Sequence, residues 1–189
     1  AKTPSKPVKS YLIGKKPVIV MPKGMTAPLT LINAHEFLSQ AKFVPRDVML
    51  KNNKNSRPQT TFTRTIKTGL STGLLEYEII DDPRKLGSDP KEWERIVAVI
   101  CLGLGWQFKD WLREPAYNQA ATLFDKVYGF FVAMEGDKLP KEVEGWAVTK
   151  ASLNRDKRGL DSVTYATFWN GLDEWMRVYK AELLPRAES

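Results

Sequence analysis

Seven apolar residues in a row, Ile96-Val97-Ala98-Val99-Ile100-Cys101-Leu102, occupy the middle of the chain. Four of them are β-branched and no polar residue interrupts them, so the run predicts a strand buried on both faces. Such strands belong to the interior of a parallel sheet with helices on either side. Gly103 and Gly105 follow, and then Trp106-Gln107-Phe108-Lys109-Asp110-Trp111, in which aromatic and polar residues mix just past the strand's carboxyl end. In open α/β sheets that edge is where ligands and partners bind.

The flanking segments supply the remaining parts of such a sheet. Val18-Ile19-Val20-Met21, between Pro17 and Pro22, reads as a first buried strand. Asn33 and Glu36 have the spacing of a capping pair, which predicts a short helix to about Ala41 with Phe37 and Leu38 inward. The segments around Phe62–Ile66 and Leu74–Ile79 alternate and predict a hairpin connected through Gly69-Leu70-Ser71-Thr72-Gly73. Asp81-Asp82-Pro83 marks a turn, and Asp89-Pro90-Lys91-Glu92 starts a helical turn with Asp89 as its cap. Leu123, Phe124, Val127, Tyr128, Phe131 and Met134 recur at helical spacing, and Trp146–Ala151 reads as a last strand. Tyr165, Phe168, Trp169, Leu172, Trp175, Met176 and Tyr179 form the apolar stripe of a long final helix. The expected fold class is a three-layer α/β domain with a mostly parallel central sheet.

Charge is unevenly placed along the 189 residues. Residues 1–72 carry 13 Lys/Arg against 2 acidic residues, whereas residues 73–189 carry 16 against 20. The Pro/Lys/Ser-rich residues 1–15 are expected to be a disordered basic linker, the trailing end of a longer protein's connection. Residues 16–182 are then the domain, 46–58 a mobile basic loop within it, and 183–189 a tail. The basic segments attract polyanions or merely keep the chain soluble. A single cysteine excludes an intramolecular disulfide and fits a reducing compartment. No apolar stretch approaches the roughly 20 residues needed to cross a bilayer.

A strand–loop–helix opening invites the test for a phosphate loop, which needs GxxxxGK[ST]. Pro22-Lys23-Gly24-Met25-Thr26-Ala27-Pro28-Leu29-Thr30 has one glycine and no Gly-Lys-Ser/Thr, and Pro28 removes an N–H that would point at phosphate. No magnesium-holding Asp follows the buried strand, and Asn154-Arg155-Asp156-Lys157 has the wrong order for a guanine reader. Nucleotide hydrolysis is therefore not expected. One His and one Cys cannot build a zinc site of the usual types; His35 reads as a surface residue and Cys101 as an inert buried thiol. The expectation is no catalytic residue, no metal and no cofactor. Candidate partner-binding residues are Trp106, Gln107, Phe108 and Lys109 together with the basic cluster Arg155, Lys157 and Arg158. The former offer an apolar seat and the latter an anion site, with core packing and solvated charge as the structural alternatives.

In this order, the residues resemble a known family. Val18-Ile19-Val20-Met21-Pro22, Asn33-Ala34 before Phe37-Leu38, and Phe43-Val44-Pro45 match in sequence, followed by Trp93, Arg95 and Val97-Ala98-Val99. Trp106-Gln107-Phe108-Lys109, Trp146, Lys157-Arg158, Leu160-Asp161 and Phe168-Trp169 continue the match to about residue 180. The set resembles the C-terminal domain of the parafibromin family, a subunit of the RNA polymerase II-associated factor (Paf) complex. That resemblance implies a Ras-like fold without a nucleotide site and a nuclear, non-enzymatic role in transcription elongation. It implies tethering to transcribed chromatin through phosphorylated repeat tails of RNA polymerase II or an associated elongation factor, with other Paf subunits as partners. Two further readings are weaker: direct nucleic-acid contact through the basic N-terminal segment and the 46–67 region, and a degenerate small GTPase.

Overall fold

The computed structural model describes residues 7–69 and 71–186. Six strands form one sheet: β1 (Val18–Val20), β2 (Thr61–Thr68), β3 (Ser71–Ile80), β4 (Ile96–Cys101), β5 (Tyr128–Met134) and β6 (Val148–Leu153), in the spatial order β2-β3-β1-β4-β5-β6. Only the β2–β3 pair is antiparallel; β1 pairs with β3 and β4, and β5 with β4 and β6, all in parallel. The helices are α1 (Ala34–Gln40), α2 (Arg46–Asn52), α3 (Pro90–Trp93), α4 (Ala120–Lys126) and α5 (Asp161–Tyr179). This is the strand order and layering of a Ras-like domain.

All six residues of β4 are buried, as the uninterrupted apolar run requires. Val97, Ala98 and Ile100 join a core with Phe37 and Leu38 of α1 and Phe168, Trp169, Leu172 and Met176 of α5. Ile96, Val99 and Cys101 join a second core with Trp93, Phe108, Trp111, Leu123 and Phe124 on the opposite face. The hairpin is fastened to α5 by Arg64, whose guanidinium makes bonds of 2.8 and 3.0 Å to the Asp173 carboxylate and lies 3.8 Å over the Trp169 ring. Asp89 caps α3 through Lys91 N–H at 3.0 Å, with Pro90 at the first position, as its spacing predicts.

Several expectations are corrected. The helical spacing from Leu123 to Met134 covers two elements: α4 ends at Lys126 and β5 begins at Tyr128. Residues 128–132 are buried without a break, because β5 too lies between two cores, and continuous burial carries no period to distinguish strand from helix. Gly129 permits the close approach of these layers, since a Cβ there would fall 2.5 Å from both Phe124 Cδ1 and Val148 Cγ1. Residues 46–52 are the helix α2 rather than part of a mobile loop, with Asp47 in its first turn, Lys51 in its last and Met49 buried beneath. Ser71, Thr72 and Gly73 belong to β3 rather than to the hairpin connection, which turns at Gly69 (φ +65°); Leu70 lies outside the described residues.

At both ends the described residues join the body of the domain. Residues 1–6 and 187–189 of the expected linker and tail lie outside the described residues. Ser10–Leu12, however, is one 3-10 turn with Leu12 only 1% exposed, and Ala181–Leu183 is another with Leu183 buried. Lys180, between them in space, donates from Nζ to the Glu94 carbonyl at 2.7 Å, and Lys9 Nζ pairs with the Glu94 carboxylate at 2.8 Å. Tyr11 hydroxyl also bonds that carboxylate. Burial pulls the Lys180 ammonium down to about 8, opposed by the Glu94 charge. Leu12 and Leu183 are buried and Tyr11 and Leu184 pack partly against the same core, so apolar side chains near both ends tie them to the body. Leu12→Ala is expected to cost about 2–5 kcal/mol in urea denaturation. An unchanged midpoint would show that the N-terminal turn does not belong to the core.

Candidate functional site

The carboxyl ends of β1, β3, β4, β5 and β6 meet on one edge, so the loops that leave them form one surface. After β1 the chain does not cradle an anion. Met21 and Leu29 are fully buried and Ala27 nearly so, filling the space with side chains. Asn33, at the N-cap position of α1, makes no capping bond. Instead its Oδ1 accepts from Thr30 N–H at 2.9 Å and its Nδ2 donates to the carbonyls of Pro28 (2.8 Å) and Val44 (3.0 Å). The predicted capping pair is thus a staple that fixes the loop, and two prolines in it carry no N–H to offer a phosphate.

After β4, Gly103 takes φ +83°, and a Cβ there would sit 2.9 Å from both Phe131 and Pro140. Gln107 spends its amide on the same turn, accepting from Leu102 N–H at 2.9 Å and donating to the Ile100 carbonyl at 3.1 Å. Glu142 accepts the Gly105 N–H at 2.6 Å. Residues Gly105–Phe108 form a 3-10 turn that leaves Trp106 61% exposed and buries Phe108 completely. Phe108 packs on Trp111, Phe124 and Trp146, with ring centroids 5.0–5.8 Å apart.

The predicted site therefore divides. Trp106 and Lys109 are surface residues, whereas Gln107 is a loop clamp and Phe108 a core residue, not a seat for a partner. Arg158 is also removed from the anion site: its guanidinium lies 4.8 Å over the Phe43 ring, donates to the Phe43 carbonyl at 3.2 Å and to the Asn154 carbonyl, and sits 3.5 Å from the buried Asp161 carboxylate. It locks the start of α5 to the segment after α1. Arg155 and Lys157 remain exposed after β6, with Arg155 paired to Asp137 at 2.7 Å.

Two grooves flank Trp106. The smaller, of about 100 Å³, is bounded by Lys23, Asp82, Arg84 and Asp110; the larger, of about 270 Å³, runs past Leu104 to Asp137, Lys138 and Pro140. Because Asp137 holds Arg155, the larger groove connects Trp106 to the basic loop after β6. In the smaller, Asp82 accepts from Arg84 at 2.9–3.2 Å and from Lys23 at 3.5 Å, and the Arg84 guanidinium above all holds its carboxyl down at about 2. Lys23, Arg84 and Lys138 were not singled out in the sequence, and Asp82 was read only as part of a turn. They sit in loops after β1, β3 and β5, the carboxyl-end positions that topology marks once the sheet order is known. Cys101 is 2% exposed and burial pushes its thiol well above the ordinary range, as expected of an inert thiol. His35 is half-buried, with its ring edge on Phe62 at 6.1 Å.

A Ras-like body whose loop after β1 is filled by packed side chains, with an exposed tryptophan at the carboxyl edge, places the chain in the Ras-like class of α/β domains. Comparison with known proteins narrows this. Residues 14–175 match the family model for the RNA polymerase II accessory factor, Cdc73 family, C-terminal. The chain is 32% identical over 164 residues to the CDC73 homolog of Arabidopsis thaliana, covering 85% of this chain and 38% of that protein. It is 28% identical over 173 residues to cell division cycle protein 73 of Caenorhabditis elegans (91% and 32%), and 29% over 161 residues to the Saccharomyces cerevisiae protein (85% and 38%). The solved conserved domain of yeast Cdc73 superposes with a TM-score of 0.72 at 26% identity, covering 87% of this chain and 98% of that one. The chain belongs to the Cdc73 family of RNA polymerase II accessory factors and corresponds to its C-terminal domain. It spans roughly a third to two fifths of the length of these relatives.

The two aromatics of the motif should respond oppositely to truncation. Phe108→Ala is expected to cost about 3–5 kcal/mol in chemical denaturation, and Trp106→Ala less than about 0.5 kcal/mol. Asp82 gives a second check. Its folded pKa of about 2 lies below the ordinary 3.8, so its contribution is complete above about pH 4 and is lost as pH falls towards 2. Acid titration of stability should show a shallower fall over that window in Asp82→Asn than in the parent. Parallel curves would exclude the Asp82–Arg84 pair as a source of stability.

Proposed function

We propose that this chain is a non-catalytic interaction domain of the Paf transcription elongation complex, working in the nucleus. In this reading it grips phosphorylated repeat tails of RNA polymerase II, or of an associated elongation factor, at the carboxyl edge of its sheet. Such a contact helps tether the complex to transcribed chromatin, while other Paf subunits engage the remainder of the full-length protein. The observation that carries the reading is Trp106, largely exposed between two grooves on a surface where prolines and packed apolar side chains stand in place of a phosphate cradle. An exposed tryptophan beside a groove is the residue type that anchors extended peptides. Lys109, Lys138 and Lys157 are exposed around it without an ion-pair partner among the described residues, and Arg155 stands at the far end. A phosphate carries close to two negative charges and three acceptor oxygens, so it engages such cations more strongly than a hydroxyl or a single carboxylate.

The test is fluorescence anisotropy with a labelled repeat peptide in phosphorylated and unphosphorylated forms. The phosphorylated peptide is expected to bind with a Kd on the order of micromolar, weakening as salt is raised. Trp106→Ala should weaken it by about tenfold or more, the usual effect of losing a tryptophan anchor. Lys138→Ala with Lys157→Ala should remove most of the preference for phosphate. Equal binding of the two peptides by the parent chain would refute the phosphate reading.

A further inference from the structure

Away from that edge, α1, α2 and the residues leading into β2 enclose a groove of about 390 Å³. Its floor is apolar (Ile32, Met49 and Leu50), but its walls are amides and charges: Gln40, Asn53, Gln59, His35, Glu36 and Arg57. Between Lys42 and Lys67 the chain carries seven Lys/Arg against one acidic residue, Asp47. Lys51, Lys54 and Arg57 lie in and beside the groove, all exposed, and none has a carboxylate partner among the described residues. Unpaired cations grouped in a segment that carries most of the chain's net positive charge call for a polyanion. Opposite them, one carboxylate oxygen of Glu36 is shut off from water without any hydrogen-bond donor. A buried acceptor left unpaired is costly, and because Glu36 lines the groove its carboxylate can turn outward to accept from a ligand that brings N–H groups.

A simple anion satisfies the cations but not Glu36, and an acidic peptide would set carboxylates against it. Single-stranded nucleic acid meets both needs. Its phosphates neutralise lysine and arginine, its amino and imino groups donate to carboxylate and amide oxygens, and its bases stack on an aromatic ring such as His35. We propose that the groove between α1 and α2 is a binding site for single-stranded nucleic acid. Lys51, Lys54 and Arg57 contact the backbone there, and Glu36 and the flanking amides meet a base edge. The site is built from residues distinct from those around Trp106 and does not depend on the phosphopeptide reading.

The experiment is anisotropy titration of the 189-residue chain against a labelled single-stranded RNA of about 15 nucleotides, repeated across a salt series. Three backbone contacts predict a slope of about −2 in log affinity against log salt. Lys51→Ala with Lys54→Ala and Arg57→Ala, all exposed and tolerant of change, should weaken binding by about tenfold or more and flatten that slope. Glu36→Gln should change the preference among homopolymers and leave the slope alone. Trp106→Ala should bind RNA as the parent does, which separates failure here from failure of the peptide reading. The proposal is overturned if the triple variant binds like the parent, if removing residues 1–6 alone abolishes binding, or if an acidic peptide of equal charge competes as well as RNA.

Discussion

Parallel pairing of β4 between β1 and β5 is the constraint on which the remaining structure depends. A strand held on both sides by hydrogen bonds and on both faces by side chains exposes nothing but its ends. Everything that leaves its carboxyl end must therefore be anchored at once, and the chain does this with Gly103 at positive φ and with Gln107 folded back onto the Ile100 carbonyl and the Leu102 N–H. The clamp fixes the 3-10 turn, and the turn fixes Trp106 outward. Exposure of one side chain is in this sense a consequence of the burial of six.

The parts legible from sequence are those whose pattern admits one physical reading. A seven-residue apolar run rich in β-branched side chains favours a strand and is too apolar for an edge, and α5 carries an apolar stripe over five turns. The parts that were not legible share a different property. In β5 the apolar run directly continues from α4, so the helical spacing of Leu123, Phe124 and Val127 extends by accident through Phe131. In α2 a polar helix rests on the single buried Met49, and one anchor leaves no period to detect. Trp106 and Phe108 look alike in sequence, both aromatic and both beside a polar residue. At about three residues per turn, positions two apart diverge by roughly 120° while positions three apart coincide. Phe108 and Trp111 accordingly stack inside, and Trp106 is left outside.

The same distinction explains why candidate cations sorted as they did. Arg158 lies three residues before Asp161, buried at the start of α5, and a buried carboxylate commits the nearest guanidinium to itself. Arg155 and Lys157 project from an Asx turn, in which Asn154 Oδ1 accepts the N–H groups of Asp156 and Lys157 at 2.9 and 2.8 Å, so the backbone is satisfied and the side chains are free to face water. Sequence shows a basic cluster; only the placement of Asp161 shows which member is structural.

At the carboxyl edge three cations are held by the domain's own acids, Lys23 and Arg84 by Asp82 and Arg155 by Asp137, beside lysines that have no ion-pair partner among the described residues. Exposed pairs of this kind contribute little to stability, typically below about 1 kcal/mol. Under the proposed function they nevertheless set a threshold for the incoming phosphorylated tail. A peptide carboxylate that displaces Asp137 from Arg155 exchanges one singly charged acceptor for another and gains almost nothing. A phosphate brings nearly twice the charge and a third oxygen, so the exchange becomes favourable only for the modified partner. Under the proposed function, self-pairing is what disfavours unmodified acidic segments while leaving the pairs weak enough to open. Because the loop after β1 is stapled by Asn33 and the loop after β4 by Gln107, little conformational freedom remains to be lost when a partner arrives. Selectivity on such a surface comes from the strength of the incoming anion, measured against carboxylates already in place.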